Sequence, residues 1–282
     1  MNLARQAAQT YGLDALNSLT KYPSILTLHA FGEKGRLTEK HTTTNAYGLP
    51  LYATEKVDGT NVRLLFFADG SYIVGGRETF LHLGGELLFD PSNGIVAGLQ
   101  ANLLGNHAHL PSFCAQRGGT APLTVVYGEV YGGKINDHKQ YGSGLFGFRV
   151  FDVAVFESQQ ELDWTAALKL PEISLWREAE WAGGMNYGQP FLDRDQLAEY
   201  CQARELALVP EVNQETYVDE DWDCAQTHWY LTQVMPTSLA TLNASAVGKP
   251  EGIVLASADR SVRVKLRFED YERTLKTTKL KV

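Results

Sequence analysis

The chain is poor in cysteine: Cys114, Cys201 and Cys224 are its only three, far apart and without a CxxC pair. That spacing excludes a disulfide framework and a structural zinc site, and it points to a reducing compartment with all three as plain thiols. Long apolar runs are absent too. Nothing approaches the stretch of about eighteen residues that a membrane span needs, and the N-terminus has no apolar signal region, so a cytoplasmic protein without membrane contact is expected. Positive charge is also in deficit, with 25 Lys and Arg against 33 Asp and Glu for a net charge of −8. Nonspecific adhesion to nucleic acid or anionic membrane is opposed by that sign, so any polyanion site must be local.

What is present suffices for a folded core. Hydrophobic residues at 44% and charged residues at 21% of 282 residues fit one large domain, or one domain with a small appendage, and not disorder. The scarce positive charge gathers at one end, where residues 260–282 hold eight cations against the three acids Glu269, Asp270 and Glu272.

The densest chemical signal is residues 54–61, TEKVDGTN. The β-prone runs 51–57 and 62–67 flank a turn containing Asp58-Gly59, and Tyr72-Ile73-Val74 completes an expected three-stranded meander. Lys56 ends the first apolar run, which buries its stem. An ammonium at the mouth of a packed sheet loses solvation, and nearby cations depress its pKa further, leaving a neutral amine able to attack an electrophile.

Elsewhere the patterning is structural. Leu3, Ala7, Leu13, Leu16 and Leu19 fall at helical intervals broken near Gly12, and 24–50 reads as an extended loop with His41 in solvent. A helix is expected around 94–104. His107 and His109 form an HxH pair with no partner cluster to make a metal site. Residues 123–134, LTVVYGEVYGGK, form a strand with one acid, Glu129, whose burial is costly without a partner. The next strand is 147–156, with Phe148 in the core. Helices are expected over 163–170 and 194–206, the second capped by Asp193, and 208–212 reads as a marginal strand because proline excludes a central place. Trp164, Trp176, Trp181, Trp222 and Trp229 are assigned to helix packing, and the Cys224/His228 CxxxH pair lacks a second half. Finally, 250–255 is a strand led by Glu251, followed by a turn and the strand 262–268. Period two puts Val262, Val264, Leu266 and Phe268 on the core face and Arg263, Lys265 and Arg267 on the other, a cationic stripe about 6.5 to 7 Å in step that can follow phosphates.

EKVDGTN resembles motif I of the covalent nucleotidyltransferases: ATP-dependent RNA ligases, DNA ligases and mRNA capping enzymes. The later segments resemble that superfamily's other motifs in order, and the extended KxDGTN form, the YGE stretch and VKLR are most similar to small phage-type RNA ligases of the second class. The resemblance implies an α+β nucleotidyltransferase (ATP-grasp-like) domain of largely antiparallel sheets with flanking helices, over 24–268. A helical segment would precede it at 1–23 and a basic tail would follow at 269–282, with no C-terminal OB domain. It makes Lys56 the catalytic nucleophile that takes AMP from ATP. Glu55, Asn61, Arg77, Glu129, Phe151, Glu251, Lys265 and Arg267 become nucleotide contacts, with Phe151 stacked on adenine and Lys265 and Arg267 on the α-phosphate. Glu129 and Glu251 also serve Mg²⁺ or Mn²⁺. The implied partner of this monomer is RNA with 5′-phosphate and 3′-hydroxyl ends. A DNA ligase or guanylyltransferase core shares the chemistry, and an inactive nucleotide- or RNA-binding module is the alternative from another class; the intact Lys56, Glu129, Glu251 and Lys265 favour the enzyme.

Overall fold

A computed structural model describes residues 2–83, 86–88, 95, 98, 99, 121–135, 140–178 and 188–278. His107, His109, Cys114, Trp181 and most of the helix expected around 94–104 lie outside the described residues. The chain forms two units. One comprises Met1–Pro23, Gly59–His138 and Ser143–Leu208, and the other Ser24–Asp58, Lys139–Gly142 and Val209–Val282.

In the first unit, β5 (Thr60–Phe67) is buried from Val62 to Phe67. A strand apolar on both faces must be covered on both, and it lies inside a six-stranded antiparallel sheet ordered β10-β9-β5-β6-β7-β8. Its neighbours are β6 (Tyr72–Gly76), β7 (Phe80–Leu83), β8 (Glu86–Leu87), β9 (Leu123–Gly132) and β10 (Phe146–Phe156). One face packs Val62, Leu64, Phe66, Val126 and Phe148 against Cys201 and its helix, Arg194–Ala203. The other packs Leu65, Phe67, Val125 and Tyr127 against α1 (Leu3–Tyr11), α2 (Leu13–Leu19), α3 (Gln159–Ala166) and α4 (Leu170–Glu178). The N-terminal helices are thus part of this unit's core. The helix Arg194–Ala203 becomes α5, and Asp193 caps it through a full capping box, as its sequence predicts.

Arg63, the fully buried cation of β5, is retained because Nε and both terminal nitrogens find acceptors. Nε meets Gly76 O at 3.1 Å, and Nη1 meets Asn17 O at 2.7 Å and Thr20 Oγ1 at 3.0 Å, at the C-terminal end of α2. Burial still pulls its pKa down to about 10. β10 carries a bulge between Val150 and Asp152, which re-aims Phe151.

The second unit is built on a five-stranded sheet ordered β1-β13-β12-β4-β11: β1 (Leu26–Thr27), β13 (Arg263–Arg267), β12 (Gly252–Ser257), β4 (Leu51–Lys56) and β11 (Glu211–Thr216). Only β1 pairs in parallel. One face packs Ala53, Ile253, Leu255, Val264 and Leu266 against α6 (Cys224–Val234) and α7 (Phe268–Thr278), through Leu231, Met235 and Tyr271. α7 occupies most of the expected basic tail, with Asp270 and Tyr271 fully buried, so those residues are packed helix.

Three expectations change. β4 and β5 do not form a meander: β4 pairs with β11 and β12, while β5 joins the six-stranded sheet. The 24–50 loop holds β1, β2 (His29–Phe31), a 3-10 turn (Glu33–Gly35) and β3 (Leu37–His41), strands too short to show a period. The marginal strand begins at Glu211 and lies at the sheet's edge, as its proline requires.

Candidate active site

Along β4, buried and half-buried residues alternate, so Leu51, Ala53 and Glu55 face the helices while Tyr52, Thr54 and Lys56 face away. Register then sets Lys56, Gly252 and Arg267 in one row across β4, β12 and β13. Thr54, Val254 and Lys265 form the next row on the same face. Gly252 is obligatory here, because a Cβ would stand 2.0 Å from Leu266 O.

Glu251, just ahead of β12, closes the group. Lys56 Nζ donates to its Oε2 at 2.6 Å, and Arg267 Nη1 lies 4.0 Å from its Oε1. The Lys56 side chain is 29% exposed and that of Glu251 20%, so the pair is half-sheltered. Desolvation raises the Glu251 pKa, with Lys56 opposing it. Arg267 is gripped from the far side by buried Asp270, whose oxygens take Nε at 2.7 Å and Nη2 at 2.9 Å; that pairing raises the Arg267 pKa. Lys56, Glu251, Lys265 and Arg267 are therefore brought together. Arg263 is not an open member of the cationic stripe: it is 7% exposed.

Glu55 is on the opposite face. Its buried carboxylate accepts from Ser238 Oγ at 2.5 Å and from the amides of Leu239 at 2.8 Å and Ala240 at 3.0 Å. Its role is to anchor β4 to the 238–240 loop.

In the first unit, Asn61, Glu129 and Arg149 form one row across β5, β9 and β10. Gly59, ahead of β5, packs so closely on β9 that a Cβ would stand 2.4 Å from Val130 O. Phe151, half-buried, meets Tyr22 edge-on at 4.9 Å. Arg77 projects from the turn after β6 with its side chain 73% exposed, 3.6 Å from Glu78. Sequence reasoning missed Asp270, Arg149 and Tyr141, the last of which accepts the Asp58 amide. Only register or tertiary contact reveals them, apart from the i, i+3 spacing of Arg267 and Asp270.

A second polar cluster lies behind the sheet. Trp222 O is 2.9 Å from His29 Nε2 and 2.7 Å from His41 Nε2. A carbonyl only accepts, so both rings carry the proton on Nε2, and their Nδ1 atoms accept from Tyr271 at 3.0 Å and Tyr47 at 2.6 Å. His41 is thus a half-buried structural residue and not a solvated one. His29, Glu39 and Cys224 bring potential ligand atoms within 4.8 Å of one another. Both nitrogens of His29 are engaged, however, and burial pushes the Cys224 thiol up to about 12, far from the thiolate a metal needs.

Comparison with known proteins bears on this geometry. No curated protein matches the chain. Among solved structures, a mutant Naegleria gruberi RNA ligase with ATP and Mn is similar at 14% identity and TM-score 0.50, over 92% of this chain and 59% of that one. An apo mutant described as Naegleria gruberi RNA ligase R4a is similar at 16% identity and TM-score 0.48, over 89% of this chain and 63% of that one. The chain thus spans less than two thirds of those proteins' length, and the first similarity shows a shared α+β fold of antiparallel sheets with flanking helices. The family model described as RNA ligase matches residues 49–277, from just before β4 to the end of α7, and on that match the chain belongs to the RNA ligase family.

Proposed function

We propose that this chain is an ATP-dependent RNA ligase whose nucleophile is Lys56. One observation carries the reading: Lys56 Nζ sits 2.6 Å from Glu251, on the sheet face that also presents Lys265 and Arg267. An amine beside a half-sheltered carboxylate and two cations suits attack on a phosphoanhydride, where positioning and charge neutralisation supply most of the catalysis.

In the first step the Lys56 nitrogen attacks the α-phosphorus of ATP. A P–N bond forms, the P–O bond to pyrophosphate breaks, and the ammonium proton goes to Glu251, the carboxylate already hydrogen-bonded to it. Desolvation raises the Glu251 pKa and so makes it a better acceptor. Lys265 and the Asp270-braced Arg267 hold the phosphate oxygens. AMP then passes from Lys56 to an RNA 5′-phosphate, and a 3′-hydroxyl attacks that activated phosphate, sealing the strand and releasing AMP.

The resemblance in sequence gives Asn61, Arg77, Glu129 and Phe151 to the same nucleotide, with Phe151 on the base. Glu55 belongs to the reading as an anchor of β4. A divalent cation suits Glu251, which offers hard carboxylate oxygen at a half-buried position, and the resemblance in sequence adds Glu129 as a second acid. Bound there, Mg²⁺ or Mn²⁺ supplies neutralisation of phosphate charge.

The test is sealing of nicked duplexes with RNA or DNA on each side of the break. The reading expects joining when the 3′-hydroxyl strand is RNA; equal sealing of an all-DNA nick contradicts it.

A further inference from the structure

We propose that Tyr141 is a positioning residue for Lys56, its phenol fixing the backbone of the turn that carries the nucleophile. The inference rests on the reading of Lys56 as the adenylylated amine. β4 ends its ladder at the Lys56–Gly252 pair, so Val57 and Asp58 lie beyond the end of the strand. Amides that leave a sheet in a half-buried place need another acceptor. Tyr141, remote in sequence and 1% exposed, supplies it: the Asp58 N–H donates to the Tyr141 hydroxyl at 2.5 Å.

The segment presenting that hydroxyl is itself secured through its backbone. The Leu242 amide donates to Tyr141 O at 2.7 Å and the Gly248 amide to Gln140 O at 3.0 Å. Burial raises the Tyr141 pKa well above the usual phenol range, and the acids Glu55, Asp58 and Glu251 push it further the same way. The group is therefore a neutral phenol whose oxygen accepts the amide.

The hydroxyl consequently sets where the chain goes two residues beyond Lys56. Displacing a reacting group by about 1 Å can cost on the order of a hundredfold in rate. Losing this one hydrogen bond slackens the turn without emptying the core, because phenylalanine fills the same space.

The test compares wild type with Tyr141→Phe in a single turnover of lysyl-AMP formation, alongside thermal melting and amide exchange of the peptide containing Asp58. The expected result is adduct formation slowed about tenfold or more at saturating ATP. Half-saturating ATP and melting temperature should stay unchanged, and exchange at Asp58 should quicken. An unchanged adduct rate overturns the proposal. So does a rate loss matched by a fall in melting temperature, which marks a packing role only, and so does unaltered exchange at Asp58. If wild type forms no adduct while Asp58 exchange still quickens in Tyr141→Phe, the Lys56 reading has failed and the hydrogen bond alone stands.

Discussion

Glu251 is the residue on which the proposed chemistry turns, since it touches Lys56 and lies beside Arg267. Its pKa is raised, so its charged, proton-accepting form disappears at a higher pH than an ordinary glutamate's. Adduct formation should therefore lose rate as pH falls through a value above the usual 4.5, and Glu251→Gln should remove that acid limb along with most of the rate. A pH–rate profile of wild type with a break at or below the ordinary glutamate value would go against this. Lys56 and Glu251, which the structure places in contact, were singled out in the sequence because each stands in a short, unusual local pattern. The partners of Arg267 and Asp58 were not: a buried aspartate in α7 and a remote tyrosine do nothing distinctive until the chain is folded.

The rigid element of the site is the β12-β13-α7 unit. β13 delivers Arg267 and α7 returns Asp270 three residues later, so a bidentate brace forms within one turn. Asp270→Asn should keep the helix but weaken that brace, lowering the adduct rate about tenfold with Arg267 intact. Single-turnover kinetics check this, and an undiminished rate would remove Asp270 from the account. Gly252→Ala should be worse, since the added Cβ has only backbone to displace. It should abolish adduct formation and lower the melting temperature, as kinetics and calorimetry would show. Behind the same sheet, His29 has its pKa lowered by burial. The unfolded chain then binds the proton more readily than the folded one, so stability is held above about 6.5 and lost as pH falls below it. His29→Gln should flatten the fall in melting temperature between roughly pH 7.5 and 5.5; an identical slope would contradict the assignment. These strands were read correctly where they were long and alternating, as at 262–268, where the strand runs Arg263–Arg267. They were missed at β1, β2 and β3, whose two, three and five residues carry too little periodicity.

The whole molecule joins a net charge of −8, which opposes nonspecific polyanion contact, to a local cationic face that holds Lys56, Lys265 and Arg267. The α+β class and largely antiparallel pairing followed from the resemblance of the motifs, whereas the division into two units did not. EKVDGTN reads as one hairpin, yet the structure separates it into two sheets, since β4 finds β12 and β5 finds β9 through pairings distant in sequence. The most direct test of the account is to incubate the protein with α-labelled ATP and a divalent cation, denature it, and map the label. The account predicts one acid-labile AMP on Lys56, absent from Lys56→Ala. An unlabelled wild type, or label that persists in Lys56→Ala, would contradict it.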